Sequence, residues 1–158
     1  MNILLLKTNE GVGLYMCEEN NRNNECRCIS EILTVIHILQ QNANCNDTCC
    51  LDTCDRGFLG CGGTTFSCNT RPIMLYTCSG NGTPWNMPIS KDPNETVTSN
   101  VFRVEKIDGC CATFRVLAPN PDTTETLIPY VATNSFFTMD LNCLCVLRCL
   151  QDTFVECL

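Results

Sequence analysis

Val101-Phe-Arg-Val-Glu-Lys-Ile-Asp-Gly-Cys-Cys-Ala-Thr-Phe-Arg-Val-Leu117 is the stretch that decides the fold. Before Asp108-Gly109, Phe102 and Val104 stand opposite Arg103 and Glu105. After it, Ala112, Phe114 and Val116 stand opposite Thr113 and Arg115. Side chains alternate across a strand, so this period of two gives each arm one apolar face. An Asp-Gly pair between two such arms is a strong hairpin signal. The sequence therefore predicts an antiparallel sheet, and the rest of the chain must cover its apolar face.

Toward the C-terminus, Pro119-Asn-Pro121 makes a turn, and residues 127–132 form a short strand that Pro129 confines to an edge. Residues 136–150 are the longest apolar segment. Phe137, Met139, Leu141, Cys143, Cys145, Leu147 and Cys149 fall on one continuous face, while Thr138, Asp140 and Asn142 begin the other. Toward the N-terminus, Ile73 to Cys78 reads as a strand closed by the turn-like Ser79-Gly-Asn-Gly82, and residues 83–100 form a long polar connection holding Pro84, Pro88 and Pro93. Residues 42–70 carry Cys45, Cys49, Cys50, Cys54, Cys61 and Cys68 among Gly57, Gly60, Gly62 and Gly63, with no periodicity. Residues 29–41 place Ile29, Ile32, Leu33, Ile36 and Leu39 on one helical face, although their β-branched content also suits a strand. The expected organisation is a polar extension over 1–28, a helix over 29–41, a Cys/Gly-rich loop segment over 42–70 and a β domain over 71–158. The fold class is mainly β, an antiparallel sandwich or barrel with a short N-terminal helix.

Composition narrows the function. The chain has 158 residues, of which 44% are hydrophobic, so it can bury a core and does not depend on cross-links to fold at all. A net charge of −7 with only 10 Lys and Arg leaves no basic face for nucleic acid. No apolar run approaches the roughly 20 residues of a membrane span. The first residues lack the basic flank, the apolar length and the cleavage site of an export signal. Met16 opens a different composition and is a second candidate for the natural start, which would make residues 1–15 an over-extended gene call. The 16 cysteines nevertheless suggest an oxidising setting. Three resolutions stand open: export by another route, thiols that bind metal, or oxidation only after the compartment opens.

Cysteine spacing limits the chemistry. No C-x2-C occurs, which counts against zinc ribbons, ferredoxin loops and thioredoxin-type pairs. Neighbours such as Cys110 and Cys111 point to opposite sides of a strand and should face different partners. Cys143 and Cys145 would lie about 6.6 Å apart on one face with parallel Cβ vectors, unsuited to bridging each other; one reading makes them buried thiols acting as small hydrophobes. Cys17, Cys26, Cys28, Cys45, Cys49, Cys50, Cys54, Cys61, Cys68 and Cys157 sit in polar, mobile or glycine-rich surroundings, where an accessible thiol bonds another molecule as readily as its own chain. With Cys110, Cys111 and Cys149 they are the cross-link candidates. Sixteen cysteines do not fix their own connectivity.

Catalytic readings are weak. The one histidine, His37, lies between Ile36 and Ile38 in the expected helix and is more at home on its surface or at the core edge than as a base. Glu18-Glu19 is a solvated pair, and no dinucleotide, P-loop or nucleophile-elbow pattern occurs. The N-x-T triplets at Asn46, Asn81 and Asn94 are expected by chance in an Asn- and Thr-rich chain. Trp85 suits either an interface anchor or a ring folded onto its own sheet. No enzyme, cofactor or metal site is expected.

Four segments, in order, resemble the CotY/CotZ/ExsY cysteine-rich proteins of bacterial endospore coats and exosporia: residues 69–77, residues 101–105, Cys110-Cys-Ala-Thr-Phe-Arg-Val-Leu117, and Thr138-Met-Asp-Leu-Asn-Cys-Leu-Cys-Val-Leu-Arg-Cys-Leu150. The helix followed by a cysteine cluster fits as well, and the likeness spans roughly residues 26–158. The resemblance implies a non-enzymatic structural protein made in the mother-cell cytoplasm without a signal peptide. It further implies self-assembly into hexagonally arranged, disulfide-cross-linked layers around the spore, with other coat or exosporium proteins as neighbours. A cysteine-thiolate metal protein and a secreted disulfide-rich binding module are the competing readings.

Overall fold

A computed structural model describes residues 26–43, 68–122, 124, 128–156 and 158. Helix α1 spans Arg27–Gln41, and the main strands are β1 (Ile73–Thr77), β4 (Val101–Asp108), β5 (Cys111–Pro119), β6 (Tyr130–Asp140) and β7 (Leu144–Cys149). They form one antiparallel sheet in the order β6-β5-β4-β1-β7. The described residues are mainly β with one short helix, as the alternation predicts. Within the connection 83–100, β2 (Met87–Pro88) and β3 (Thr98–Ser99) pair as a small separate ribbon.

The deciding hairpin is present, with its turn one residue later than the Asp-Gly signal suggests. Asp108 pairs with Cys111, so Gly109 and Cys110 are the turn residues. Gly109 alone of the two has a left-handed φ of 59°, the pattern of a type II′ turn. Asn81 (φ 49°) and Gly82 (φ 77°) are both left-handed, and the Thr83 N–H donates to the Gly80 carbonyl over 2.8 Å, which makes the Ser79–Gly82 signal a real tight turn.

The sheet is bent. β1 meets β4 at a single register pair, Ile73 opposite Phe102. The two edge strands, β6 and β7, are joined by the 3-10 turn Leu141–Cys143 alone. Such a link spans at most about 14 Å, whereas five strands laid flat put their edges roughly 19 Å apart. The β1–β7 ribbon therefore folds toward the β4–β5–β6 meander. Among the described residues no pair joins β6 to β7, so the curled sheet is not a closed barrel.

The concave side holds the main core: Ile73, Leu75, Phe102, Val104, Phe114 and Val116 from the strands meet Leu33 and Ile36 of α1. Phe137 sits between Phe102 and Phe114, edge-on to the former at 4.9 Å between centroids. Aromatic pairs in this geometry contribute beyond their buried area. Buried Gln40 ties the helix to the sheet: its Nε2 donates to the Val104 carbonyl over 2.9 Å, and its Oε1 accepts the Arg71 N–H. The Ser30 hydroxyl donates to the Gly109 carbonyl. The helix thus runs antiparallel to β4, its start at the hairpin tip and its end beside Arg71.

Three expectations are corrected. The alternation in 101–117 implies one apolar face, yet Val101 and Leu117 on the other face are also buried, under Val155 of the C-terminal segment. Arg103 and Arg115 stand directly opposite on that face, an arrangement that repels. Glu105 resolves it by accepting from Arg103 Nη1 (2.7 Å) and Arg115 Nε (2.6 Å). Second, the short strand at 127–132 and the start of the apolar segment merge into β6, which is indeed an edge strand. Third, the continuous face from Phe137 to Cys149 does not form. Leu141 stays inward, but the 3-10 turn resets the alternation and Leu144 turns inward in place of Cys143 and Cys145.

Candidate cross-linking site

Sulfur gathers where the hairpin tip, the start of α1 and the end of β1 meet. The Leu141 N–H donates to the Cys110 carbonyl (2.8 Å), and two residues later the Cys143 carbonyl accepts the Cys78 N–H (3.1 Å). The 3-10 turn is therefore the bridge that brings Cys78, Cys110, Cys143 and Cys145 to one end of the molecule. Two disulfides join described residues there: Cys26–Cys110, with Cα atoms 5.6 Å apart, and Cys78–Cys145, with Cα atoms 4.9 Å apart. Both distances suit a bridge. The first pins the helix start to the hairpin tip, and the second staples β7 to the end of β1, where a register shift interrupts their ladder.

Cys143 and Cys145 are not the buried thiols that a shared strand face would make them. Both are disulfide-bonded; Cys145 is exposed and Cys143 half-buried. The 3-10 turn is the cause, since it ends the period of two before Leu144. Cys110 and Cys111 diverge: Cys110, half-buried, bonds Cys26, while Cys111 is exposed and free, opposite Asp140 on β6. Cys28 is also exposed and free, in the first turn of α1. At the far end, Cys68 is fully buried and Cys149 half-buried beside Ile73; both are disulfide-bonded. Cys17, Cys45, Cys49, Cys50, Cys54, Cys61 and Cys157 lie outside the described residues.

Cys78 is the participant that spacing alone does not single out. The signal available was its position between a strand and a tight turn, a place where Cβ vectors can converge on a neighbouring strand end. A second feature without a sequence signature is the buried pair Arg71–Asp152, in which Nε and Nη2 donate to the two carboxylate oxygens over 2.8 and 2.9 Å. With Asn69, which donates to the Val155 carbonyl and accepts its N–H, this pair holds the C-terminal segment over the second face.

The other candidates are unremarkable in place. His37 is half-buried on α1, with its Nε2 3.1 Å from Gln41 Nε2. The Trp85 backbone N–H donates to the Leu75 carbonyl, and its side chain is exposed. Among the described residues no group of three or more His, Cys, Asp or Glu could hold a metal ion, and no helix is long and apolar enough to cross a membrane.

The model of one protein family, described as spore coat protein Z, matches residues 16–129. That stretch takes in α1 and β1 to β5 and ends before β6 and β7, so the resemblance noted at 138–150 lies beyond it. No curated protein and no solved structure matches the chain.

Proposed function

The chain belongs to the spore coat protein Z family, and we propose that, as a structural coat protein, it self-assembles into an ordered two-dimensional layer held by disulfides between copies. Its partners are then further copies, as hexameric rings joined into a lattice, together with other proteins of the coat or exosporium. Its role is mechanical, with no catalysis. Synthesis in the mother-cell cytoplasm needs no signal peptide.

One observation carries this reading: a member of a coat family displays exposed thiols, Cys28 and Cys111, on a folded body stapled by its own bridges. A closed ring needs one head-to-tail interface, and a second interface joins rings into a sheet. Non-covalent contacts dissolve on dilution, whereas bridges across them persist until reduced. The net charge of −7 favours solubility before assembly.

Electron microscopy of the purified, oxidised protein, with and without reductant, tests the proposal. Extended ordered assemblies that survive heat and denaturant and fall apart on reduction are expected. A freely dispersed single chain under oxidising conditions overturns it.

A further inference from the structure

Every other described cysteine is disulfide-bonded; Cys28 and Cys111 alone are free, and both are exposed. They flank the same bridge, Cys28 two residues after Cys26 and Cys111 one residue after Cys110. That bridge takes up the two thiols nearest to them in sequence. The strand neighbour of Cys111 is Asp140, which offers no sulfur. The Cys26–Cys110 bridge and the Ser30–Gly109 hydrogen bond hold the helix start and the hairpin tip together, so both thiols are carried at one fixed end of the molecule.

We propose that Cys28 and Cys111 are covalent valences through which a subunit joins its neighbours in the layer. This rests on the cross-linked layer proposed above and assigns its linking atoms. Reactive thiols at two separate positions let subunits extend into chains or close into rings. In each linking event a thiol of one copy and a thiol of another lose their two S–H bonds and form one S–S bond. The two electrons and two protons pass to molecular oxygen, which leaves as hydrogen peroxide.

The test uses the full chain, exposed to air and run on denaturing gels without reductant, beside Cys28→Ser, Cys111→Ser and the double variant. The wild type should give a ladder of multimers, each single variant a weaker ladder, and the double variant the weakest. Mass spectrometry of the linked wild-type peptides should place Cys28 and Cys111 in the intermolecular bonds. A ladder unchanged in the double variant, or linked peptides without either residue, overturns the assignment while leaving the layer itself standing. A wild type that gives no ladder also overturns it, and microscopy of that sample shows separately whether the layer fails with it. Circular dichroism of the double variant should match the wild type, since both side chains point to solvent.

Discussion

The concave core and the sulfur-bearing end are built on different physics. At the core, Phe102, Phe114, Leu33 and Ile36 are fully withdrawn from water, and burial of each such side chain contributes about 1.5–3 kcal/mol. At the sulfur end the order of the turns comes from covalent bonds, Cys26–Cys110 and Cys78–Cys145, between residues 84 and 67 apart in sequence. Burial acts on the native state, while a bridge acts mainly by restricting the unfolded chain. A single molecule that has both can keep its core in reductant while losing its bridges.

That division is open to attack from either side. The largest effects should come from the core and from the buried ion pair. Phe114→Ala should cost about 3–5 kcal/mol, read as a lower denaturant midpoint in reductant and oxidant alike. Asp152→Ala leaves the buried Arg71 guanidinium without its carboxylate and should cost about 3–5 kcal/mol by the same measurement. If either variant unfolds only in reductant, the core is weaker than the comparison holds.

Removing the staple between β1 and β7 by Cys78→Ser with Cys145→Ser should cost about 2–4 kcal/mol in oxidant and close to nothing in reductant. Equal losses in both conditions would mean that packing, not the bond, matters there. Gln40→Leu should cost about 1–3 kcal/mol, because the Val104 carbonyl and the Arg71 N–H lose their buried partner; hydrogen exchange should show the Arg71 N–H opening sooner. Gly109→Ala is the mildest change. A Cβ there meets no atom within 4 Å, so only the left-handed φ of 59° resists it, at about 1–2 kcal/mol. Thermal unfolding should shift by a few degrees while Cys26–Cys110 still forms.

Legibility followed locality. The hairpin, the strand at 73–77 and the apolar stripe of α1 were open to reading because each depends on neighbours two, three or four positions away. The merging of 130–140 into one strand was hidden, since pairing with β5 outweighs the Pro129 signal at its start. The burial of Arg103 was hidden too: it needs the Thr70 hydroxyl, which accepts from its Nε, and an acceptor in Glu105 shared with Arg115, and the alternation of 101–107 shows neither contact. At the candidate site the divergence of Cys110 and Cys111 followed from strand geometry, whereas the fate of Cys143 and Cys145 depended on a 3-10 turn that the apolar run conceals.

By itself the sequence determined that this chain is a mainly β protein with a helix on one side and far more sulfur than its core requires. Alternation and turn residues are local properties, and the number of cysteines is a plain fact of composition. Only the tertiary structure decided which sulfurs are joined within the subunit and which face outward. A disulfide is a matter of converging Cβ vectors a few ångströms apart, and that convergence exists only once the three-residue link after β6 has bent the sheet and brought Cys78, Cys110 and Cys145 to one end.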